Sequence, residues 1–199
     1  MIRKFATIFS FLVLTAGLVQ TNDSRAGVPT DQIRATVGRV LIILNDRKLN
    51  SDGAKEARRS ELSKAIFPRF DFEEMAKRSL GSEWRRRAPA EQEEFIRLFT
   101  ELLKDSYVDS IESYRGNKVV YRRESQDGDY ADVGTKIMNE RGDEFTIDYR
   151  LTLEGSEWKV YDVIVENISI VNNYRSQFRR ILGRSSFAQL LQTIRDKVD

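Results

Sequence analysis

The apolar residues of this chain change their spacing near Gly116, and this change restricts the fold more than any other feature. Before it, the longest apolar stripe runs from about Pro89 to Tyr114, with large side chains at every third or fourth position, as in a helix. After it, apolar and polar residues alternate, as in strands. The chain therefore has to pack a helical part against a sheet.

The alternating part divides into segments 118–125, 130–139, 144–154 and 157–171. The separators between them are short and contain glycine, which is typical of hairpin turns. We predict a four-stranded antiparallel meander that helices precede and that two short helices, divided by Gly183, follow. The predicted fold class is α+β, with the helices on one face of the sheet.

Capping residues predict where the first helices begin and end. Thr30 is the expected N-cap of the first one, and a second helical segment ends before Pro68. Asp71, followed three residues later by Glu74, predicts a further helix start, and Gly81 is its expected C-cap.

The segment 158–178 begins as a strand but carries apolar side chains on both faces. Its alternation slips near Glu166 and Asn167, which indicates a bulge or a bend. A strand that is apolar on both faces is buried on both sides. We expect the next helix to begin with Asn172 or Asn173 as its N-cap.

The N-terminal segment has the layout of a secretory signal peptide. Arg3 and Lys4 precede an uncharged apolar run, 5–19, and small and polar residues follow it, so we predict a signal over residues 1–26. A retained membrane anchor is the alternative, because about 15 apolar residues are at the upper limit for a signal and below the roughly 17 that span a bilayer. We favour cleavage, which leaves one domain, 27–199.

Cleavage also makes the protein formally neutral. The whole chain has 33 Lys and Arg against 31 Asp and Glu. The predicted signal holds three of the basic residues and one of the acidic residues, which leaves 30 of each. Attraction to nucleic acid needs a net basic field, so a nucleic-acid-binding protein is not expected.

The chain contains neither cysteine nor histidine. Disulfides, thiolate nucleophiles, Ser-His-Asp triads and His or Cys metal ligands are therefore excluded, and we expect no metal and no cofactor. An isomerase-like or hydrolytic enzyme would have to use a carboxylate such as Asp148 or Asp162 with Tyr149 or Tyr161. Because Asp148 and Tyr149, like Tyr161 and Asp162, are sequence neighbours, each pair points to opposite strand faces, and we do not expect an enzyme.

Two groups of arginines stand out: Arg85, Arg86 and Arg87, and Arg175, Arg179, Arg180 and Arg184. Guanidinium groups match phosphate and carboxylate oxygens, so lipid phosphates or an acidic partner would suit them. The alternative is that local carboxylates neutralise them on a solvated face. We predict head-group or partner contacts for Arg85, Arg86, Arg175 and Arg179.

An apolar ligand cavity is the third possibility. If the helices do not close completely on the sheet, side chains such as Val160, Ile164, Phe99 and Tyr107 would line the gap. Periodicity alone does not separate this case from a filled core.

Two long segments, 70–107 and 158–182, resemble the signature blocks of the MlaC type of exported phospholipid-binding proteins, also called the toluene-tolerance family. The resemblance covers most of the chain after the signal, in the same order and with similar spacing. It implies an α+β fold with a deep lipid cavity between the sheet and the helices.

The resemblance also implies a role. Such a protein is a periplasmic carrier that maintains the lipid asymmetry of the outer membrane. It shuttles phospholipid between an outer-membrane lipoprotein and porin complex and an inner-membrane ABC transporter complex with an MCE-domain protein. A related branch accompanies hopanoid biosynthesis, so a hopanoid cargo is an open alternative.

For this cavity we predict an apolar and aromatic lining drawn from the helices and the sheet: Phe72, Met75, Phe95, Phe99, Leu102, Leu103, Tyr107, Tyr149, Val160, Val163, Ile164, Ile168, Tyr174 and Phe178.

Overall fold

The computed structural model describes residues 28–51, 53–112, 114–139 and 141–198. The predicted signal, residues 1–26, lies outside these described residues. The helices are α1 Val28–Asn45, α2 Lys55–Ile66, α3 Phe72–Leu80, α4 Pro89–Glu112, α5 Ile170–Leu182 and α6 Phe187–Val198. Short 3-10 helices span Phe67–Arg69 and Gly81–Arg86. The strands are β1 Lys118–Asp127, β2 Tyr130–Met138, β3 Glu144–Glu154, β4 Glu157–Val165 and β5 Ile168–Ser169.

The strands form one antiparallel sheet in the order β1-β2-β3-β4-β5. This confirms the predicted α+β class and the meander, with one difference. The predicted fourth strand is two strands, because the chain reverses at Glu166 and Asn167. Both residues have positive φ, 47° and 67°, as the two-residue hairpin turn that fits the sheet twist requires.

The turn at Glu166 and Asn167 is the bend predicted there, and β4 has a separate bulge at Tyr161. Asp162 pairs with Arg150 and Val160 pairs with Leu151, so Tyr161 is the extra residue on β4. An extra residue reverses the alternation for the rest of the strand. Trp158 and Val160 therefore share the inner face of the sheet with Val163 and Val165.

Helix α5 begins earlier than predicted. Its N-cap is Ser169, whose hydroxyl accepts a hydrogen bond from the backbone N–H of Asn172, so the prediction of Asn172 or Asn173 as the cap is wrong. Buried Asp162 reinforces this start, because its carboxylate accepts from the Ser169 hydroxyl at 2.6 Å and from the Val171 N–H at 3.1 Å. The first turn of α5 is thereby tied to β4.

The other predicted caps give a mixed result. Thr30 is already inside α1, so its prediction as the N-cap is wrong. Asp71 caps α3 as predicted, because its side chain accepts from the Glu74 N–H at 2.8 Å. Gly81 follows α3 with a φ of 60°, which confirms the predicted glycine C-cap.

The described residues form two main apolar clusters. One lies among α3, α4, α5 and α6 and is rich in aromatic rings. The other lies on the inner face of the sheet, where α1 covers it. None of the described helices is long and apolar enough to cross a membrane.

Candidate functional site

A cavity of about 210 Å³ lies between α1, the C-terminal half of α4 and the inner face of the sheet. Most of its wall comes from these three elements. Helix α1 contributes Thr36, Val37, Val40 and Leu41; α4 contributes Leu103, Tyr107, Ser110 and Ile111, followed by Tyr114 and Asn117; the sheet contributes Val119, Ile137, Ile147, Tyr149, Val163 and Val165. Ile66, Phe67, Phe70, Phe72, Met75 and Ile170 complete it.

The sheet wall follows from the strand register. Val119 pairs with Ile137, Ile147 pairs with Val165, and Tyr149 pairs with Val163. Directly paired residues point to the same face of a sheet. A continuous apolar surface therefore runs across β1 to β4, and the bulge at Tyr161 is needed to bring β4 into phase with it.

The hydroxyl groups on this wall do not introduce charge. Tyr149 lies deep in the protein with its hydroxyl hydrogen-bonded to Thr135, whose own hydroxyl donates to the Ile147 carbonyl at 2.7 Å. Burial raises the pKa of Tyr149 well above its ordinary value. Burial, together with a hydrogen bond to Tyr174, raises the pKa of Tyr107 to about 12. Both phenols are neutral at ordinary pH, and all the described lining residues are uncharged.

Part of the predicted lining faces this cavity: Phe72, Met75, Leu103, Tyr107, Tyr149 and Val163. Their contact with a ligand stays a prediction. Helix α4 delivers two of them, because Leu103 and Tyr107 are one turn apart on one face. The others come from α3 and from neighbouring strands.

The structure places the predicted helical residues Phe95, Phe99, Leu102, Tyr174 and Phe178 in the filled core among α3 to α6 instead. The rings of Phe95 and Phe99 stack at 5.6 Å, and Phe178 lies edge-on to each of them at 5.5 Å and 5.6 Å. Closely packed rings leave no space for a ligand. These residues complete a core rather than a pocket.

Three predicted strand residues also lie off the cavity. Val160 is fully buried in the sheet core. Ile164 stands between Val163 and Val165, which both line the cavity, so it points to the opposite face. Ile168 is 64% exposed in β5. The predicted lining did not take account of the bulge, which reverses the side of the sheet to which successive β4 residues point.

Sequence reasoning missed the contribution of α1. The predicted lining includes no residue of α1, yet Val37, Val40 and Leu41 line the cavity. A helix that lines a cavity and a helix that packs in a filled core have the same apolar periodicity, so the sequence carried no separate signal for the cavity wall.

The residues of the enzyme alternative serve structural contacts. Asp162 holds the start of α5, and Asp148 forms an ion pair with Arg123 at 3.0 Å across Gly134. Tyr161 lies under the guanidinium of Arg78, at 4.1 Å from its ring centre. Among the described residues, acidic side chains form no cluster that could hold a metal ion.

The predicted arginines lie away from the lining. Arg86 pairs with Glu83 at 2.7 Å, while Arg85 is exposed. Arg175 lies against Gly81, where a Cβ atom would come within 2.6 Å of its guanidinium. Arg179 is exposed on α5. Head-group contact therefore has no support from the position of these arginines.

Comparison with known proteins gives consistent matches. A family model described as MlaC protein matches residues 34–196. The chain is 28% identical over 162 residues to the toluene tolerance protein Ttg2D of Pseudomonas putida, covering 80% of this chain and 75% of that protein. It is 23% identical over 197 residues to the intermembrane phospholipid transport system binding protein MlaC of Haemophilus influenzae, covering 96% and 91%.

The fold is also similar to that of a phospholipid-binding protein from Ralstonia solanacearum, solved in complex with a phospholipid. The TM-score is 0.74 at 24% sequence identity, over 85% of this chain and 96% of that chain. At this identity, the likeness shows that the two proteins share a fold.

Proposed function

This chain belongs to the MlaC family, and from that premise we propose that it is a lipid carrier that holds acyl chains in the cavity between α1, α4 and the sheet. The family is one of binding proteins, and the chain is not an enzyme. The observation that carries the proposal is the uncharged, apolar lining of that cavity. The relative from Ralstonia solanacearum, which has the same fold and a bound phospholipid, supports it.

The cavity needs to widen when lipid enters. An apolar cavity of about 150 Å³ holds a ligand of the size of benzene. By that scale, the 210 Å³ of this cavity accepts only part of a long acyl chain. Loading therefore separates α1 and the end of α4 from the sheet, because these elements form the wall that faces it.

Energetics favours exchange between docked partners over release into water. Burial of one CH₂ group contributes about 0.8 kcal/mol, so two chains of roughly 16 carbons represent on the order of 25 kcal/mol. This exceeds the practical limit of about 18 to 21 kcal/mol for noncovalent affinity. A carrier has only to match the free energy of lipid in a bilayer, so loading and unloading proceed at similar free energy.

The setting belongs to the same proposal. Residues 1–26 act as a cleaved signal, the mature domain 27–199 works in the periplasm, and it carries phospholipid between the outer membrane and an inner-membrane ABC transporter complex with an MCE-domain protein. On the outer-membrane side the partner is a lipoprotein and porin complex. The name of the Haemophilus influenzae relative, an intermembrane phospholipid transport protein, supports this setting.

The test is organic extraction of the purified mature protein followed by mass spectrometry. We expect phospholipid to be bound, and expect delipidated protein to take it up again from vesicles. A protein that carries no lipid and cannot be loaded would exclude the carrier function.

Two neighbouring substitutions locate the lipid. Val165 and Ile164 are both half-buried in β4, but only Val165 faces the cavity. Val165→Gln should lower lipid occupancy several-fold, because it places an amide in an apolar wall. Ile164→Gln is the matched control and should retain occupancy. Equal losses would place the lipid elsewhere.

A further inference from the structure

The exposed side of α5 carries a group of arginines that the cavity does not use. Arg175, Arg179, Arg180 and Arg184 lie within or directly after this helix. Their side chains form no ion pair and no hydrogen bond with any residue that the structure describes. The sequence explains part of this, since no acidic residue occurs between Glu166 and Asp196.

Several arginines elsewhere on the helical side have carboxylate partners. Arg86 and Arg87 both pair with Glu83, Arg97 pairs with Glu101, and Arg195 pairs with Glu94. Among the described residues, unpaired charge also occurs at Arg85, but it is denser on α5 and in the turn after it, where four such arginines fall within ten residues. It is concentrated in a protein whose predicted mature form is neutral.

The arginines adjoin a polar groove between α5 and α6 of about 450 Å³. Arg180 and Arg184 line it, together with the amides of Gln177 and Gln189 and the hydroxyl of Thr193. The described residues that line this groove include no carboxylate. The N-terminal turn of α6, to which Gln189 belongs, adds the positive end of a helix dipole. The guanidinium groups, the amide N–H groups and the helix end favour an anionic occupant, whereas the Thr193 hydroxyl already donates to the Gln189 carbonyl at 2.8 Å.

Compensation of the α5 dipole does not account for the whole group. Arg179 and Arg180 are in the last turn of α5, where positive charge is favourable. The C-terminal end of a helix carries about half a negative charge, which one such side chain already offsets. Arg175 lies in the middle of the helix and Arg184 beyond its end, where the dipole contributes little.

The size of the groove indicates an occupant with several anionic groups. Arg180 and Arg184 both line it, and its volume of about 450 Å³ exceeds that of a single phosphate group. A flat membrane surface does not enter a groove between two helices, and none of the large apolar side chains exposed within the described ranges lies on the groove. An extended peptide places carboxylates every few ångströms and enters such a groove.

We propose that the groove between α5 and α6 docks an acidic, extended segment of a partner protein, with Arg180 and Arg184 binding its carboxylates. This inference rests on the proposed carrier function, since a carrier has to dock where it loads and unloads. Docking and cargo then occupy separate sites: the groove and the cavity.

The test measures binding of a fluorescein-labelled hexaglutamate peptide to the mature protein by fluorescence anisotropy at an ionic strength of about 0.1 M, where charges more than about 10 Å apart are screened. The double variant Arg180→Gln/Arg184→Gln should weaken binding by about tenfold or more, because it removes two charge-assisted donors from the groove. Arg122→Gln/Arg141→Gln, which changes the net charge equally in β1 and in the β2–β3 connection, is the matched control and should weaken binding less than about twofold.

Equal weakening by the two double variants would mean that the peptide responds to the net charge of the protein, and would overturn the proposal that it binds in the groove. Binding of phosphatidylglycerol vesicles that depends on Arg180 and Arg184, without peptide binding, would overturn the peptide occupant in favour of a membrane. Extracted phospholipid should be the same in both double variants and in the unmodified protein. Absence of lipid from all three would contradict the carrier function and leave the docking measurement independent of it.

Discussion

The two halves of α4 have the same apolar periodicity but face different surroundings. In the N-terminal half, Phe95 and Phe99 are fully buried and packed against Phe178 of α5. In the C-terminal half, Tyr107 and Ile111 are half-buried and line the cavity. One helix therefore forms a filled core at one end and a cavity wall at the other.

The difference lies in what packs opposite each half. Helices α5 and α6 bring Phe178 and Phe187 against the first half and fill the space with rings. The second half faces the sheet and α1. Helix α1 is held near its N-terminus, where the side-chain oxygen of Gln32 accepts hydrogen bonds from Arg69 at 2.7 Å and from the Trp158 N–H at 2.9 Å. Its later turns cover the sheet without filling the gap.

Truncation gives the largest expected contrast between the halves. Phe99→Ala should lower the free energy of unfolding by about 3 to 5 kcal/mol, since it leaves a cavity in a closely packed core. Ile111→Ala should lower it by only about 1 kcal/mol, because this side chain is half-buried and already borders open space. Urea unfolding of both delipidated variants measures the difference. Similar losses would mean that the C-terminal half is packed like the N-terminal half.

Larger side chains should also affect the two halves of α4 differently. Leu98→Phe adds volume to the filled half and should cost about 1 to 3 kcal/mol through overpacking. Ile111→Phe places its ring in the cavity, so stability should change by less than about 0.5 kcal/mol. The same ring takes space from the acyl chains, and extracted phospholipid should fall in Ile111→Phe but not in folded Leu98→Phe. Loss of lipid from both variants would contradict the assignment of the cavity to the C-terminal half of α4 alone.

The fold was largely predictable because its signals are local. The change of period near Gly116 indicated helices followed by a sheet, glycine-containing separators indicated hairpins, and Asp71 and Gly81 indicated the ends of α3. Thr30 and Asn172 look equally suitable as caps, yet neither is one. At α5, Ser169 is the cap because Asp162, brought close by β4, fixes the earlier start.

The site was less predictable because its determinants are tertiary. Phe99 and Tyr107 belong to one stripe, and nothing local indicates that one faces rings and the other faces a cavity. In β4, the bulge at Tyr161 reverses the alternation, so the sequence pattern put Val163 and Ile164 on the wall together although they point to opposite faces.

The smallest expected effect concerns the Tyr107 phenol, which reports the apolar character of the wall in the open half. Burial and Tyr174 raise its pKa to about 12 from an ordinary value of 10.0, so between these values the native state holds a proton that the unfolded state has lost. Stability from this group is fully present below pH 10 and decreases as the pH rises towards 12.

Solvent screening of the half-buried Tyr107 ring limits this contribution to stability to about 1 kcal/mol. Tyr107→Phe should therefore make the free energy of unfolding less dependent on pH in this window, while Tyr149, whose pKa is also raised, maintains part of the slope. Urea titrations at a series of pH values measure this dependence, and an unchanged slope in Tyr107→Phe would contradict it. Bound lipid should exclude water from the Tyr107 ring and extend the decline in stability to higher pH. The filled half of α4 has no titratable ring on its apolar face and therefore gives no such effect.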